Sequence, residues 1–131
     1  AAAAMMRAGT VLNELNLEVG KIMEDELVKL KLLKAVDVKK HDAKKAPPLY
    51  KKYFPHGTAH FLGLDVHDVG NRFAKLKEGA VLTCEPGIYI REENLGIRIE
   101  NNLLVTKGKP VDLMANIPIE AEEIEEIMNS K

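Results

Sequence analysis

The segment from His56 to Gly70, HGTAHFLGLDVHDVG, contains three of the chain's four histidines and two aspartates. Two glutamates stand out downstream, Glu85 in CEPGIYI and Glu100 in GIRIENN. Imidazole and carboxylate groups brought together from separate strands are the usual ligands of hydrolytic metal centres. These residue types therefore predict a metal site, provided that folding brings the three segments together.

His56 and His60 are spaced as H-x-x-x-H, which on a helix would place both imidazoles on one face, as in zinc peptidases of the HExxH type. Here Gly57 follows the first histidine where those enzymes have glutamate, and glycine disfavours helix. In extended backbone the two residues would lie about 13 Å apart, too far to bind one ion. The spacing therefore predicts that at most one of them is a direct ligand, while the other reaches the substrate or supports the site.

The two glutamates lie in segments whose pattern predicts strands. Residues 96–105 alternate, so that Arg98 and Glu100 share one face and the apolar residues share the other: Ile97, Ile99, Leu103 and Val105. Glu100 is then either a cation ligand or half of an ion pair with Arg98 on a solvated face. Glu85 follows the apolar residues 80–84 and precedes Pro86-Gly87, so we expect a turn to present its carboxylate.

Two helices are expected to support these strands. Apolar residues spaced by three and four predict an amphipathic helix over residues 11–34, with Thr10 as its N-cap and a close packing contact at Gly20. The acidic segment 119–129 predicts a closing helix. Between them, residues 29–52 are rich in lysine and contain Pro47-Pro48, which indicates a solvated, irregular connection.

Composition excludes several classes of function. The net charge of −1 gives no general attraction to nucleic acid or to anionic membranes, and no apolar run approaches the roughly 20 residues of a membrane span. The single Cys84 cannot form an internal disulfide, which favours a reducing, cytoplasmic compartment. Its strand context indicates a small buried side chain and not a nucleophile.

The segments HGTAHFLGLDVHDVG, CEPGIYI and GIRIENN, in this order, resemble the C-terminal half of the catalytic domain of the pita-bread metallopeptidases. The resemblance runs from about residue 8 to the acidic C-terminal segment and is closest to aminopeptidase P, with prolidase as the alternative. It implies an α+β fold: half of a pita-bread (creatinase/aminopeptidase-like) architecture, with a curved, mainly antiparallel sheet and helices on its convex face. It also implies hydrolysis of the bond between an N-terminal residue and a following proline.

Carried over by motif position, the resemblance implies three metal ligands, which are His60, Glu85 and Glu100. Glu85 would also act as acid and base toward the attacking water. The expected catalytic residues are therefore His67, Glu85 and His56, and the expected substrate-binding residues are His56, His67 and Arg98. Within this set, His67 would contact the scissile carbonyl, His56 would line the proline side of the pocket, and Arg98 would support Glu100. Asp65 and Asp68 would be structural.

The implied cofactor is a pair of divalent metal ions that share a water, lower its pKa and polarise the substrate carbonyl. One imidazole with carboxylates suits Mn²⁺ and also admits Co²⁺ or Zn²⁺. The expected substrate is a peptide with proline at its second position. We expect neither nucleic acid nor membrane as a partner.

The chain departs from the family in one main respect. The family's metal site also takes two aspartates from the preceding half of the fold, and no segment here resembles that half. Residues 1–131 are therefore expected to be the C-terminal portion of the catalytic domain, inactive alone and docked against the missing half or a second copy of the chain. The alternative is a metal-free pita-bread binding protein, although such a protein should lack some of the metal-binding residues, and His60, Glu85 and Glu100 are all present here.

Overall fold

The computed structural model describes residues 1–42 and 44–130, which form an α+β arrangement. Its α-helices are α1 (Ala2–Met5), α2 (Leu12–Lys29), α3 (Ala35–Lys40) and α4 (Ala121–Asn129), and short 3-10 helices cover Leu49–Lys52 and Arg91–Glu93. Within the described ranges, no helix combines the length and apolarity that crossing a bilayer requires.

Helix α2 confirms the amphipathic pattern but is shorter than expected. It ends at Lys29 because Lys31 adopts a left-handed backbone conformation, with φ of 61°, and the helical ladder stops there. The N-cap prediction is wrong: Val11 occupies that position, and the Thr10 hydroxyl donates instead to the carbonyl of Met5 at 2.9 Å. The buried face of α2 consists of Leu12, Leu15, Val19, Gly20 and Leu27.

The close contact predicted at Gly20 is confirmed. The ring of Tyr50 lies directly against the α2 backbone, and a Cβ atom at position 20 would overlap it, with Cε1 at 2.7 Å. Tyr50 belongs to the lysine-rich connection, which is therefore not wholly solvated. Most of its lysines are exposed, but Lys51 is half-buried and donates to His56 O at 3.2 Å. Tyr50 is a core residue, as are Tyr53 and Phe54 just after the connection.

The strands pair in antiparallel fashion, as expected, but they form two sheets. Strands β1 (Val81–Cys84), β4 (Asn101–Leu104) and β5 (Val111–Asp112) form one sheet in the order β1-β4-β5, and β2 (Gly87–Ile90) pairs with β3 (Leu95–Arg98) in the other. The prediction of one continuous strand over residues 96–105 is wrong, because Ile99 and Glu100 lie outside both strands.

The two ladders nevertheless share one register. Cys84 faces Asn101 in the first ladder, and Gly87 faces Arg98 in the second. Stepping one residue inward from each pair places Glu85 opposite Glu100 and Pro86 opposite Ile99. Proline has no N–H for the ladder, so the pairing is interrupted at this point. The two sheets are thus parts of one long hairpin, which is interrupted at residues 85–86 and 99–100.

The core lies between α2, the segment around Tyr50 and the β1–β4 pair, and its largest fully buried apolar residues are Phe54, Met6, Leu15, Leu27, Leu82, Leu103 and Val105. Of the apolar face predicted for residues 96–105, Leu103 and Val105 are buried. Ile97, just before the break, and Ile99, within it, are exposed.

The expectation that α4 packs on the sheet is also wrong. None of its residues is buried, and Met128 is 80% exposed.

Cys84 is buried in β1, as the sequence predicted. Its exposed fraction is 7%, and burial, which disfavours the thiolate, raises the pKa of its thiol to about 11. A neutral, buried thiol behaves as a small apolar side chain, which agrees with a structural role.

Candidate metal centre

His60 and Glu85 are brought together by a strand-like pairing of residues 58–62 with β1. Three backbone hydrogen bonds connect this segment with residues 81–85. Leu62 N donates to Val81 O at 3.1 Å, Thr83 N donates to His60 O at 3.0 Å, and Glu85 N donates to Thr58 O at 2.8 Å. Such a ladder fixes which side chains share a face. The extended conformation of this segment thus places His60 beside Glu85.

The His60 imidazole presents a lone pair to the Glu85 carboxylate. Nδ1 of His60 lies 2.9 Å from the carbonyl oxygen of Phe61, and because a carbonyl only accepts, Nδ1 carries the proton of the neutral ring. In this neutral tautomer, Nε2 carries a lone pair and faces Oε1 of Glu85, 3.4 Å away. Two lone-pair donors facing each other are stabilised by a cation or a proton between them.

These contacts fit a metal ion. Imidazole nitrogens and carboxylate oxygens bind first-row divalent metals at about 2.0–2.2 Å, so neighbouring ligand atoms lie roughly 3–3.5 Å apart. The 3.4 Å between Nε2 and Oε1 falls in that range, and the side chains are only 20% and 14% exposed. The bond from His60 Nδ1 to a main-chain carbonyl is the arrangement that orients metal-binding histidines elsewhere.

Glu100 lies at the rim of the same cleft. The shared register places it opposite Glu85, and opposed like charges in an antiparallel pair destabilise each other unless a cation lies between them. Glu100 is exposed, however. In the part of the chain that the structure describes, no group of three or more His, Cys, Asp or Glu side chains is arranged to hold one ion. The His60–Glu85 pair is formed, and Glu100 does not close it into a triad.

The six residues predicted to bind metal, to bind substrate or to act in catalysis line one cleft of about 410 Å³, whose walls are His56, Gly57, Ala59, His60, Val66, His67, Glu85, Arg98 and Glu100. The ring of His67 lies over that of His60, with centroids 4.2 Å apart and an interplanar angle of 33°. Segments distant in sequence therefore converge on one face, which the sequence pattern required of a metal site.

Arg98 contacts a different glutamate from the one expected. Its Nη1 lies 3.5 Å from Oε2 of Glu85, and no Arg98–Glu100 ion pair within 4.0 Å is found among residues 1–42 and 44–130. Glu85 thus has one carboxylate oxygen facing His60 and the other facing a guanidinium group. The alternative in which Glu100 is simply the ion-pair partner of Arg98 has no support in this geometry.

His56 is held at one end of the cleft by neighbours that the sequence interpretation did not identify. Its Nδ1 lies 2.7 Å from Gly57 O, so Nε2 accepts from the Tyr89 hydroxyl at 3.0 Å. The rings of Phe54 and Tyr89 contact it edge to face, with centroids at 5.0 and 5.5 Å. Tyr89 follows the EPG turn by two residues, and that position was the only signal for it.

Asp68 organises the loop that carries His67. Its carboxylate accepts the backbone N–H groups of Leu64 at 3.0 Å and Val69 at 2.7 Å. Short backbone bonds of this kind stabilise tight loops. This role agrees with the structural function expected for Asp68.

Comparison with known proteins identifies the family of the chain. The model of metallopeptidase family M24 matches residues 1–107. The Xaa-Pro aminopeptidase of Escherichia coli K12 is 40% identical over 136 residues, covering 95% of this chain and 30% of that protein. Human Xaa-Pro aminopeptidase 3 is 41% identical over 102 residues, covering 70% of this chain and 20% of that protein.

Solved structures share the fold. Zinc-substituted E. coli aminopeptidase P in complex with product superimposes with a TM-score of 0.80 at 40% identity, covering 97% of this chain and 31% of that one. Proline aminopeptidase P II from Yersinia pestis gives a TM-score of 0.79 at 36% identity, with coverages of 97% and 31%. The chain thus spans about 30% of the length of these relatives. Since the family model matches most of the chain and the solved relatives share its pita-bread architecture, the chain belongs to metallopeptidase family M24.

Proposed function

We propose that this chain is the C-terminal part of the catalytic domain of an Xaa-Pro aminopeptidase, which hydrolyses the bond between an N-terminal residue and a following proline. The observation that carries the proposal is the break in the hairpin, where Glu85 faces both the His60 lone pair and, in register, Glu100. A divalent cation bound between these groups would offset the repulsion of the two carboxylates. The names of the relatives support the choice of substrate.

His60, Glu85 and Glu100 are the residues proposed to hold two divalent ions, and Mn²⁺ suits one imidazole with two carboxylates. When bound, the ions supply Lewis-acid polarisation of the scissile carbonyl and a water of lowered pKa. The remaining ligands are proposed to come from the rest of the catalytic domain, which this chain, at about 30% of its relatives' length, does not include.

Glu85 is proposed to move the proton from the attacking water to the leaving nitrogen. Its Oε2 is paired with Arg98, which leaves Oε1 directed into the cleft toward His60. A carboxylate fixed in this way exchanges a proton without rotating. His67, stacked over His60, is proposed to donate to the carbonyl oxygen as charge develops on it.

His56 is proposed to select proline. Proline's tertiary amide has no N–H for the enzyme to bind, so the ring must be recognised by shape. The His56 imidazole is fixed by Tyr89 and Gly57, and it therefore offers a rigid wall to a five-membered ring. Peptides with proline at the second position are the proposed substrates.

We place the protein in a reducing, cytoplasmic compartment, and we propose that residues 1–131 alone are inactive. The first proposal rests on a single, buried cysteine. The second rests on an incomplete ligand set, since the described residues contain no group of three or more His, Cys, Asp or Glu side chains arranged to hold one ion.

The test uses the full-length protein that contains this chain. After chelation we expect no cleavage of an Xaa-Pro-Xaa tripeptide, and added Mn²⁺ should restore cleavage before proline but not before alanine. Metal analysis should find about two divalent ions per protein. An active metal-free protein, or one that binds no metal, would contradict the proposal, and the latter would support a binding protein. Cleavage confined to Xaa-Pro dipeptides would instead identify a prolidase.

A further inference from the structure

Thr83 connects the main chain of His60 with the side chain of Glu85. It is fully buried in β1, with 0% exposure. Its backbone N–H donates to His60 O at 3.0 Å, and its Oγ1 accepts the His60 N–H at 3.0 Å. Both main-chain polar groups of the candidate metal ligand are therefore bound to this one residue.

The hydroxyl also reaches the second ligand. Because Oγ1 accepts from His60 N–H, its own hydrogen is free to be donated, and Oε1 of Glu85 is the acceptor at 3.5 Å. That distance is at the outer limit of a hydrogen bond, so this end of the connection is the weaker one. Thr83 and Glu85 are two apart on an extended segment, which is why their side chains share a face.

We propose that Thr83 is a positioning residue of the metal centre, whose hydroxyl sets the distance and orientation between the His60 imidazole and the Glu85 carboxylate. The inference rests on the proposed function, since it assumes that this pair binds the ions. Removing the hydroxyl leaves the His60 N–H without its acceptor and Glu85 Oε1 without a donor. Outer partners of this kind typically change metal affinity by about 10–100-fold.

A purely structural threonine would behave differently from a positioning one. Thr83→Val keeps the branched shape and removes only the hydroxyl, whereas Thr83→Ser keeps the hydroxyl and removes the methyl group. If packing alone matters, Ser is the impaired variant. If the hydroxyl positions the ligands, Val is the impaired variant. Thr10→Val is the matched control, because it removes a hydroxyl that donates to Met5 O outside the cleft.

The experiment measures Mn²⁺ binding by titration calorimetry on the metal-free full-length proteins, with the visible spectrum of the Co²⁺ forms and the thermal midpoint of the metal-free forms as further readouts. We expect Thr83→Val to bind Mn²⁺ about tenfold or more weakly with an altered Co²⁺ spectrum. Thr83→Ser and Thr10→Val should stay within about threefold of wild type. If Thr83→Val does not fold, Thr83→Ala replaces it, with the same expectation.

The outcomes separate the two proposals. Wild-type affinity in Thr83→Val, or equal weakening in Thr83→Ser, overturns the positioning role and leaves the peptidase proposal standing. Failure of the wild-type protein to bind Mn²⁺ overturns both. Weakening in Thr10→Val equal to that in Thr83→Val would show a general effect of the substitution and would also overturn the positioning role.

Discussion

The ladders on both sides of the break in the hairpin share one register, in which Glu85 falls opposite Glu100. Like charges directly opposite each other in an antiparallel pair are destabilising, and cross-strand pairs act on a scale of about 0.2–1 kcal/mol. The same placement of the two carboxylates becomes favourable when a cation binds between them. Stability without metal and affinity for metal should therefore respond to substitution in opposite directions.

Glu100→Gln should leave the metal-free protein as stable as wild type or more stable, by up to about 1 kcal/mol, because it removes the repulsion. It should weaken Mn²⁺ binding by more than the roughly 10–100-fold that an outer partner contributes. Urea unfolding of the chelated protein and calorimetric titration check the two effects. Glu122→Gln, on exposed helix α4, is the control and should change neither. Unchanged Mn²⁺ affinity in Glu100→Gln would remove this residue from the ligand set.

Tyr89→Phe should loosen the proposed proline pocket. The substitution removes the donor to His56 Nε2 but keeps the edge-to-face ring. One neutral hydrogen bond is worth about 0.5–1.5 kcal/mol, so we expect KM for Xaa-Pro peptides to rise roughly 2–10-fold with a smaller change in kcat. Steady-state kinetics on the full-length protein give both constants. Tyr53→Phe, which removes a hydroxyl that donates to Leu32 O, is the matched control. A fall in kcat alone would assign Tyr89 to the chemical step instead.

Gly20→Ala should destabilise the fold. Alanine favours helix by about 1 kcal/mol, but its Cβ would overlap the Tyr50 ring, and overpacking of a core contact costs about 1–3 kcal/mol. We expect a net loss of up to about 2 kcal/mol in the free energy of unfolding, measured by urea denaturation. Gly108→Ala, where no atom lies within 4 Å of the new Cβ, should stay within about 0.5 kcal/mol of wild type. Increased stability in Gly20→Ala would refute the packing explanation.

The Cys84 thiol should make stability depend on alkaline pH. Burial raises its pKa from 9.0 to about 11 in the folded protein. Below about pH 9 both states hold the proton and stability does not change. Between about pH 9 and 11 the unfolded state loses the proton first, so the free energy of unfolding falls, by roughly 2–3 kcal/mol in total.

Comparison of wild type with Cys84→Ala isolates this effect. The difference between their unfolding free energies should change between pH 9 and 11 and stay constant between pH 6 and 8. In the same protein, a thiol reagent at pH 7.5 should label Cys84 only after denaturation. Rapid labelling of the native protein would show that the thiol is accessible.

The sequence predicted which residues lie together better than it predicted their contacts. His56, His60, His67, Glu85, Arg98 and Glu100 all line one cleft. Their motifs predicted this convergence, and their roles as metal ligands, catalytic groups and substrate-binding groups stay predictions. The partner of Arg98 was not predicted, because a side chain's choice between two nearby carboxylates depends on distances that no local pattern contains.

Local periodicity likewise determined that α2 and the strands exist, but not where they end. The early end of α2 follows from the backbone conformation at Lys31, and the break at Ile99-Glu100 follows from the partner strand, where Pro86 withholds a ladder bond. Thr83 and Tyr89 were missed because each acts through a residue far away in the chain: Thr83 through His60 and Tyr89 through His56.

The types and order of the residues were enough to predict the available chemistry: an apolar face on helix α2, a buried thiol, and imidazole and carboxylate groups in a recognisable order. That Glu85 faces His60 and falls opposite Glu100 in register follows from the folded chain alone. The physical reason is that hydrophobic patterning acts over a few neighbouring residues, whereas hairpin register is set by pairing between segments and fixes every cross-strand neighbour at once.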